Sequence, residues 1–218
     1  LACIISLNMQ AQKTFTQNVS TKSAEKVSFD FQFADDISIE TWNKSEIFVE
    51  AVVNIDDNKH NDNFKFELNE IGDEIVLKAE IEDLDKIGKV TQVRDKDGDV
   101  YITDSRTVDL DITFKVKVPK DIAVSLKTIN GNIESKNIEN ALALKTISGD
   151  IDISMDSKKS FDLIMKTISG DMFTDFEFEQ QKKSNFIHIG GSIDTEINGG
   201  GKPIELNTIS GNIYFRKK

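Results

Sequence analysis

The chain has 218 residues, with 27 Lys and Arg against 38 Asp and Glu, which gives a net charge of -11. Hydrophobic residues make up 38% and charged residues 30% of the chain, and these globular proportions exclude wholesale disorder. The acidic balance, with no cluster of basic residues, predicts no nucleic-acid partner, because a phosphate backbone would be repelled.

Residues 1–12 form an apolar run that becomes small and polar, which is typical of the end of a secretory signal peptide. The run is too short to cross a bilayer, so no transmembrane segment is predicted. Cys3 is the only cysteine, and Leu1-Ala2-Cys3 leaves open a lipoprotein signal in which Cys3 is acylated. We therefore expect an extracytoplasmic protein, in the periplasm, at the cell surface or secreted, without disulfides.

Residues 13–119 are predicted to form an N-terminal region of β-strands. Apolar and polar residues alternate over 27–33, as in a half-buried strand. Further strand-like runs cover residues 37–42, 47–55, 64–68, 75–81 and 108–118. No segment has helical periodicity, which predicts an all-β protein.

A polar insertion over residues 83–106 contains one candidate metal site. Asp95, Asp97 and Asp99 imitate the start of a calcium-binding EF-hand loop. Val100 and Arg106 stand where that loop requires Gly and Glu, so the pattern favours a solvated turn. No cofactor is predicted, with Ca²⁺ as the one ion left open.

Residues 120–218 repeat one motif, Leu-Lys-Thr-Ile-Ser-Gly-Asp-Ile, with variations. The repeats carry glycines in steps of 18, 21, 21 and 20 residues, at Gly131, Gly149, Gly170, Gly191 and Gly211. A period near 20, with alternating apolar residues after each glycine, predicts a β-solenoid of about five turns, capped by the N-terminal strands in one continuous domain. A series of hairpins remains an alternative, because Asn130-Gly131 is a strong turn signal.

Stacked repeats would place equivalent residues in columns about 4.8 Å apart. The glycines are expected at corners, and a buried column of structural threonines is expected at Thr128, Thr146, Thr167 and Thr208. One charged column would contain Lys127, Lys145 and Lys166, and another Glu134, Asp152 and Asp194. The simplest arrangement pairs these two columns, and the functional alternative is a charged strip that binds a charged glycan or Ca²⁺.

Catalytic signals are weak. The two histidines, His60 and His188, have no neighbouring histidine at metal-ligand spacing, and no Gly-x-Ser-x-Gly motif is present. We therefore predict no enzyme, with a polysaccharide lyase or hydrolase of the β-helix type as one alternative. A second alternative is a self-assembling envelope module that pairs through an exposed strand edge at residues 213–216.

Four features together resemble a known family: the signal segment, Ile39-Glu40-Thr41-Trp42 followed by Ile47-Phe48-Val49-Glu50, Val118-Pro119-Lys120-Asp121, and the repeated motif. The family contains bacterial cell-envelope proteins described as "putative adhesins", with β-strand repeats and a domain of unknown function. The resemblance covers residues 25–216. It implies a non-catalytic extracytoplasmic role in adhesion or envelope scaffolding, with a cell-surface glycan or an envelope protein as partner. The fourth repeat departs from the pattern at His188 and Gly190.

Overall fold

A computed structural model describes residues 11–22, 24–94, 100–177, 186–187 and 191–218 of the chain. Apart from one 3-10 helix at Asn61–Asn63, the regular elements in these ranges are β-strands, so the all-β prediction is confirmed. The strands are β1 (Lys13–Ser20), β2 (Lys26–Phe31), β3 (Asp36–Trp42), β4 (Glu46–Ile55), β5 (Phe64–Ile71), β6 (Glu74–Ile81), β7 (Lys89–Arg94), β8 (Val100–Thr107), β9 (Leu110–Pro119), β10 (Ala123–Lys127), β11 (Asn132–Lys136), β12 (Leu142–Lys145), β13 (Ile151–Met155), β14 (Phe161–Ser169), β15 (Met172–Thr174), β16 (Phe186–Ile187), β17 (Gly191–Ile197), β18 (Lys202–Ser210) and β19 (Ile213–Lys217).

The strands form two large sheets. Sheet A has the order β1-β4-β9-β3-β11-β13-β19-β15-β16, and sheet B has the order β17-β14-β18-β12-β10-β2-β6-β5. Neighbours in the middle of each sheet are parallel. The strands at both ends of the sheets pair antiparallel. The insertion after β6 contains a separate hairpin of β7 and β8.

The parallel strands form solenoid-like turns, each with one strand in sheet B followed by one in sheet A. Along the stack these turns are β6–β9, β2–β3, β10–β11, β12–β13, β18–β19 and β14–β15. The first two come from the N-terminal region, so these strands extend the stack rather than only cap it. Both sheets run across the expected boundary at residue 119. The repeats are not hairpins, because the two strands of each repeat lie in different sheets.

The expected series of five successive turns is wrong in two respects. The last turn, β18–β19, lies between β12–β13 and β14–β15, so the stacking order differs from the chain order. The copy that contains Gly191 is not a parallel turn, because β17 pairs antiparallel with β14 and Gly191 lies opposite Thr167. The expected free edge at residues 213–216 is also wrong, since β19 is hydrogen-bonded between β13 and β15.

The core lies between the two sheets and is filled by alternate side chains of each strand. Phenylalanines span the gap at both ends, with Phe31 stacked on Phe114 at 4.2 Å and Phe161 edge-on to Phe215 at 5.4 Å between ring centroids. All four side chains are buried. Each such side chain contributes about 1.5–3 kcal/mol through burial, which holds the sheets together and leaves their outer faces for polar residues.

The corners between the sheets require glycine because successive turns approach closely there. A Cβ atom on Gly149 would lie 2.2 Å from the carbonyl oxygen of Gly131, and one on Gly170 would lie 1.9 Å from that of Gly211. The hydroxyl groups of the buried threonines donate hydrogen bonds to the glycine carbonyl groups of the neighbouring turn. Thr167 Oγ1 donates to Gly211 O at 3.1 Å, and the other cross-turn bonds are from Thr208 to Gly149 at 3.1 Å and from Thr146 to Gly131 at 3.4 Å. The Thr128 hydroxyl donates instead to the Asn130 carbonyl oxygen.

Candidate functional site

The lysine row consists of Lys127, Lys145 and Lys166 on the outer face of sheet B. Lys127 lies beside Lys145 on neighbouring parallel strands, whereas Asn207 separates Lys145 from Lys166. Lys127 Nζ lies 2.8 Å from Asp30 Oδ2. Within the described part of the chain, Lys145 and Lys166 form no ion pair. The row therefore carries two exposed cations that no carboxylate of the described residues binds directly.

The expected acidic column is divided between the two sheets. Glu134 and Asp152 lie side by side on the outer face of sheet A, whereas Asp194 lies in sheet B opposite Ile164. Because each glycine corner sends the following strand into the other sheet, these two acids and the lysine row are on opposite faces of the protein. The predicted pairing between the two columns is therefore wrong.

The acids of sheet A have partners on their own face. Lys136 Nζ lies 2.5 Å from Glu134 Oε1, and the hydrogen bond from Lys136 to Glu134 raises the pKa of Lys136. Arg216 donates to both carboxylate oxygens of Asp152, with two of the bonds at 2.9 Å, and this contact raises the pKa of Arg216. Its guanidinium also lies 4.9 Å from the centroid of the Tyr214 ring. The charges on this face are thus locally compensated.

A shallow groove of about 360 Å³ crosses the outer face of sheet A. Its lining includes Ser38, Lys115, Glu134, Asp152 and Tyr214. The Tyr214 ring is stacked on Phe173, with centroids 5.1 Å apart and planes inclined by 8°. The groove therefore combines hydrogen-bonding groups with one flat aromatic side.

The isoleucine row consists of Ile129, Ile147, Ile209 and Ile168, in stacking order, and sequence analysis missed it as a surface. Ile168 and Ile209 lie in β14 and β18, two residues after Lys166 and Asn207, so they project on the same side of sheet B as the lysine row. Ile129 and Ile147 lie two residues after Lys127 and Lys145, just beyond the ends of β10 and β12. The four isoleucine side chains are exposed by 39%, 42%, 41% and 61%, in stacking order. They are four of the six large hydrophobic residues that are exposed among the described residues. The available signal was the isoleucine before Ser-Gly or Asn-Gly in each repeat.

A ladder of Asn and Asp follows the glycines and was also missed. The backbone N–H of Asp150 donates to Asn132 Oδ1 at 3.1 Å, that of Asn212 to Asp150 Oδ1 at 2.7 Å, and that of Asp171 to Asn212 Oδ1 at 3.0 Å. The side chains of Asn132, Asp150 and Asn212 therefore each bind the backbone of the next turn. An Asn or Asp follows Gly131, Gly149, Gly170 and Gly211 in the sequence, and this was the available signal.

The remaining sequence candidates concern metals and histidines. Asp95, Asp97, Asp99 and His188 lie outside the described residues. His60 Nε2 lies 4.0 Å from Asp56 Oδ2. In the described ranges, no cluster of three or more His, Cys, Asp or Glu side chains could hold a metal ion. No helix in the same ranges is long and apolar enough to cross a membrane.

The profile of the Toastrack DUF4097 family matches residues 80–216, from the end of β6 into β19. The chain belongs to this family. The expected membership of a family with a domain of unknown function is thereby confirmed. A comparison with curated proteins finds no significant match for this Toastrack chain.

Among solved structures, the Toastrack chain is similar to a "putative cell adhesion protein" from Clostridium sporogenes, with a TM-score of 0.57 and 12% identity. That match covers 95% of this chain and 100% of the other. A "putative adhesin" from Parabacteroides distasonis matches with a TM-score of 0.31 and 13% identity, over 76% of this chain and 62% of the other. The first likeness shows a shared fold, and the second is too low to support an argument.

Proposed function

We propose that this Toastrack protein is a non-catalytic, extracytoplasmic adhesin or envelope scaffold that binds an anionic cell-surface glycan through the lysine row. The supporting observation is the contrast between the two outer faces. Glu134 and Asp152 on sheet A have cationic partners, whereas Lys145 and Lys166 on sheet B have no ion-pair partner among the described residues. An external anion would supply the missing counter-charge.

Repulsion between neighbouring lysines favours an anionic partner at this face. Lys127 and Lys145 lie on adjacent strands, and two like charges at such a separation repel by about 1 kcal/mol in water. An anionic ligand bound along the row would reduce this repulsion. A polysaccharide with repeating negative charges would contact several lysines at once, because the row is linear.

The geometry gives less support to glycan cleavage. Glycosidases use two carboxyl groups, one protonated as an acid and one free as a base or nucleophile. On sheet A the two neighbouring carboxylates, Glu134 and Asp152, are bound by Lys136 and Arg216. These cations stabilise the charged forms and occupy the oxygens that a substrate would need.

A glycan array with acidic and neutral glycans tests the proposal. We expect the wild-type protein to bind acidic glycans in a salt-dependent manner. The triple variant Lys127→Ala/Lys145→Ala/Lys166→Ala should lose this binding. The matched control Lys115→Ala/Lys117→Ala/Lys136→Ala removes the same charge from sheet A, where each lysine has an acidic partner, and should retain it. Equal loss in both variants, or no binding to acidic glycans by the wild type, would overturn the proposal.

A further inference from the structure

We infer that the lysine row and the isoleucine row together bind an anionic lipid surface. This inference rests on the proposed function, because it uses the same lysines as the anion-binding element. It adds a second element, the isoleucine row, and names the kind of surface that accommodates both. The two rows together are called the corner edge below.

The exposed apolar side chains are concentrated in one place. Four of the six exposed large hydrophobic residues among the described residues form the isoleucine row. The row spans four neighbouring turns and therefore extends over about 14 Å at the usual strand spacing. Single exposed apolar residues are ordinary on soluble proteins, but a continuous row marks a contact surface. The row is held in register because Ser148 N donates to Ile129 O at 2.8 Å and Ser210 N donates to Ile147 O at 2.9 Å.

The position of the two rows indicates what covers them. Each isoleucine follows a residue of the lysine column by two positions in the sequence. The isoleucine row therefore runs beside the lysine row, on the side nearer the glycine corners. A soluble glycan would neutralise Lys145 and Lys166 but leave the isoleucines in water. The boundary between lipid headgroups and acyl chains accommodates both kinds of side chain at once.

Acidic groups near the corner edge limit the contact to the edge itself. Glu205 and Asp194 lie on the same face of sheet B, one column farther from the glycine corner. On the other side of the corner, Asp150 lines the groove of sheet A. Glu205 and Asp194 lie one column from the lysine row, so a membrane would have to contact the corner edge and not the whole outer face of sheet B.

A second copy of the chain fits the corner edge less well. A symmetric dimer brings the same patch of both subunits into one interface. Such an interface would contain two copies of Lys145 and Lys166, all without acidic partners among the described residues. The like charges would oppose association, whereas an anionic lipid surface would attract them.

Flotation with lipid vesicles tests the inference on the full chain. We expect binding to vesicles that contain phosphatidylglycerol and little binding to vesicles of phosphatidylcholine alone. Each substitution Lys145→Ala or Lys166→Ala should weaken vesicle binding by about fivefold. The double variant Ile147→Ser/Ile168→Ser should weaken it by at least about tenfold and leave binding to soluble acidic glycans unchanged. The matched control Leu68→Ser/Ile71→Ser changes two exposed apolar residues outside the row and should have no effect.

The outcomes separate the two proposals. Glycan binding without vesicle binding would overturn the lipid inference and leave the proposed function in place. Vesicle binding that the Ile147→Ser/Ile168→Ser variant retains would also overturn it, because the isoleucines would then have no part. If the wild type dimerises through the isoleucine row and ignores vesicles, the row is an interface between copies and the inference is wrong. Failure to bind either glycans or vesicles would overturn both proposals.

Discussion

The substitution Gly211→Ala tests how closely the turns of the stack approach one another. Gly211 lies at the corner between β18 and β19, with φ at +158°. A Cβ atom added there would lie 2.0 Å from the carbonyl oxygen of Gly149 and 2.6 Å from its carbonyl carbon. Both are backbone atoms, so no side-chain rotation can relieve the overlap. The turns can accept the methyl group only by moving apart.

The expected cost follows from the bonds at this corner. Real Cβ contacts are essentially never below 3.0 Å, so the carbonyl group must move by about 1 Å or more. That movement weakens the bonds from Thr208 Oγ1 to Gly149 O and from Gly149 N to Ser210 O. Each such bond contributes about 1 kcal/mol, and the backbone conformation at this large positive φ adds about 1–3 kcal/mol for alanine. With the repacking around the corner, we expect a loss of about 4 kcal/mol in the free energy of unfolding.

Gly72→Ala is the matched control. Gly72 also has a positive φ, +64°, but nothing lies within 4 Å of an added Cβ atom. This variant should lose only about 1–2 kcal/mol, from the backbone conformation alone. Both variants reduce the flexibility of the unfolded chain equally, so this effect cancels in the comparison. Urea unfolding followed by circular dichroism measures both. A Gly211→Ala variant no less stable than Gly72→Ala would refute the close approach of the turns.

Two further predictions concern single polar contacts. Thr208→Val removes the 3.1 Å hydrogen bond to the Gly149 carbonyl and should lower the free energy of unfolding, measured in urea, by about 1–3 kcal/mol. Thr208→Ser keeps the hydroxyl and should lower it less. Equal losses in the two variants would contradict this role of the hydroxyl. Hydrogen bonds from Ser28 and Lys26 hold the pKa of Glu74 below its usual value. The ionised Glu74 therefore stabilises the fold at pH values above its pKa in the unfolded chain, and this stabilisation is lost as the pH falls through its lower pKa in the folded protein. Glu74→Gln should therefore lower the thermal midpoint at neutral pH, with a difference that closes below about pH 4; a difference independent of pH would exclude this explanation.

The strands and corners could be predicted because they follow from local patterns. Alternation over residues 27–33 predicts a strand that the structure places at Lys26–Phe31. The alternation is informative because one side of the strand meets the core and the other meets water. The repeated glycines predict corners for a similarly local reason, since only glycine tolerates a backbone carbonyl so close to its Cα.

The positions of the charged groups could not be predicted from the repeats alone. Lys145 and Asp152 are seven residues apart in the sequence, but the intervening corner sends them to opposite faces of the protein. Their partners come from distant segments: Arg216 for Asp152, and Asp30 for Lys127. Such pairs depend on which turns are neighbours, and near-identical repeats can stack in many orders with similar hydrogen bonding.

The electrostatics of two columns favours the order that the structure adopts. If the turns stacked in chain order, Lys145 would lie beside Lys166, and Asp150 would lie beside Asp171. Insertion of β18–β19 places Asn207 between the two lysines. It also places Asn212 between the two aspartates. Its backbone N–H donates to Asp150 Oδ1, and its side-chain Oδ1 accepts from the backbone N–H of Asp171.

Each like-charge contact removed in this way is worth about 1 kcal/mol at the surface, so the insertion gains about 2 kcal/mol over the sequential stack. Exchanging one turn for another keeps a buried threonine before each corner, because Thr146, Thr167 and Thr208 occupy equivalent positions. The asparagines of the last repeat therefore favour the observed order, together with Arg216, which reaches Asp152 because β19 lies beside β13. Asn207 stands where three of the other repeats have lysine, and its strand separates Lys145 from Lys166. The same asparagine that favours this order of turns therefore also determines the spacing of the cations on the proposed binding face.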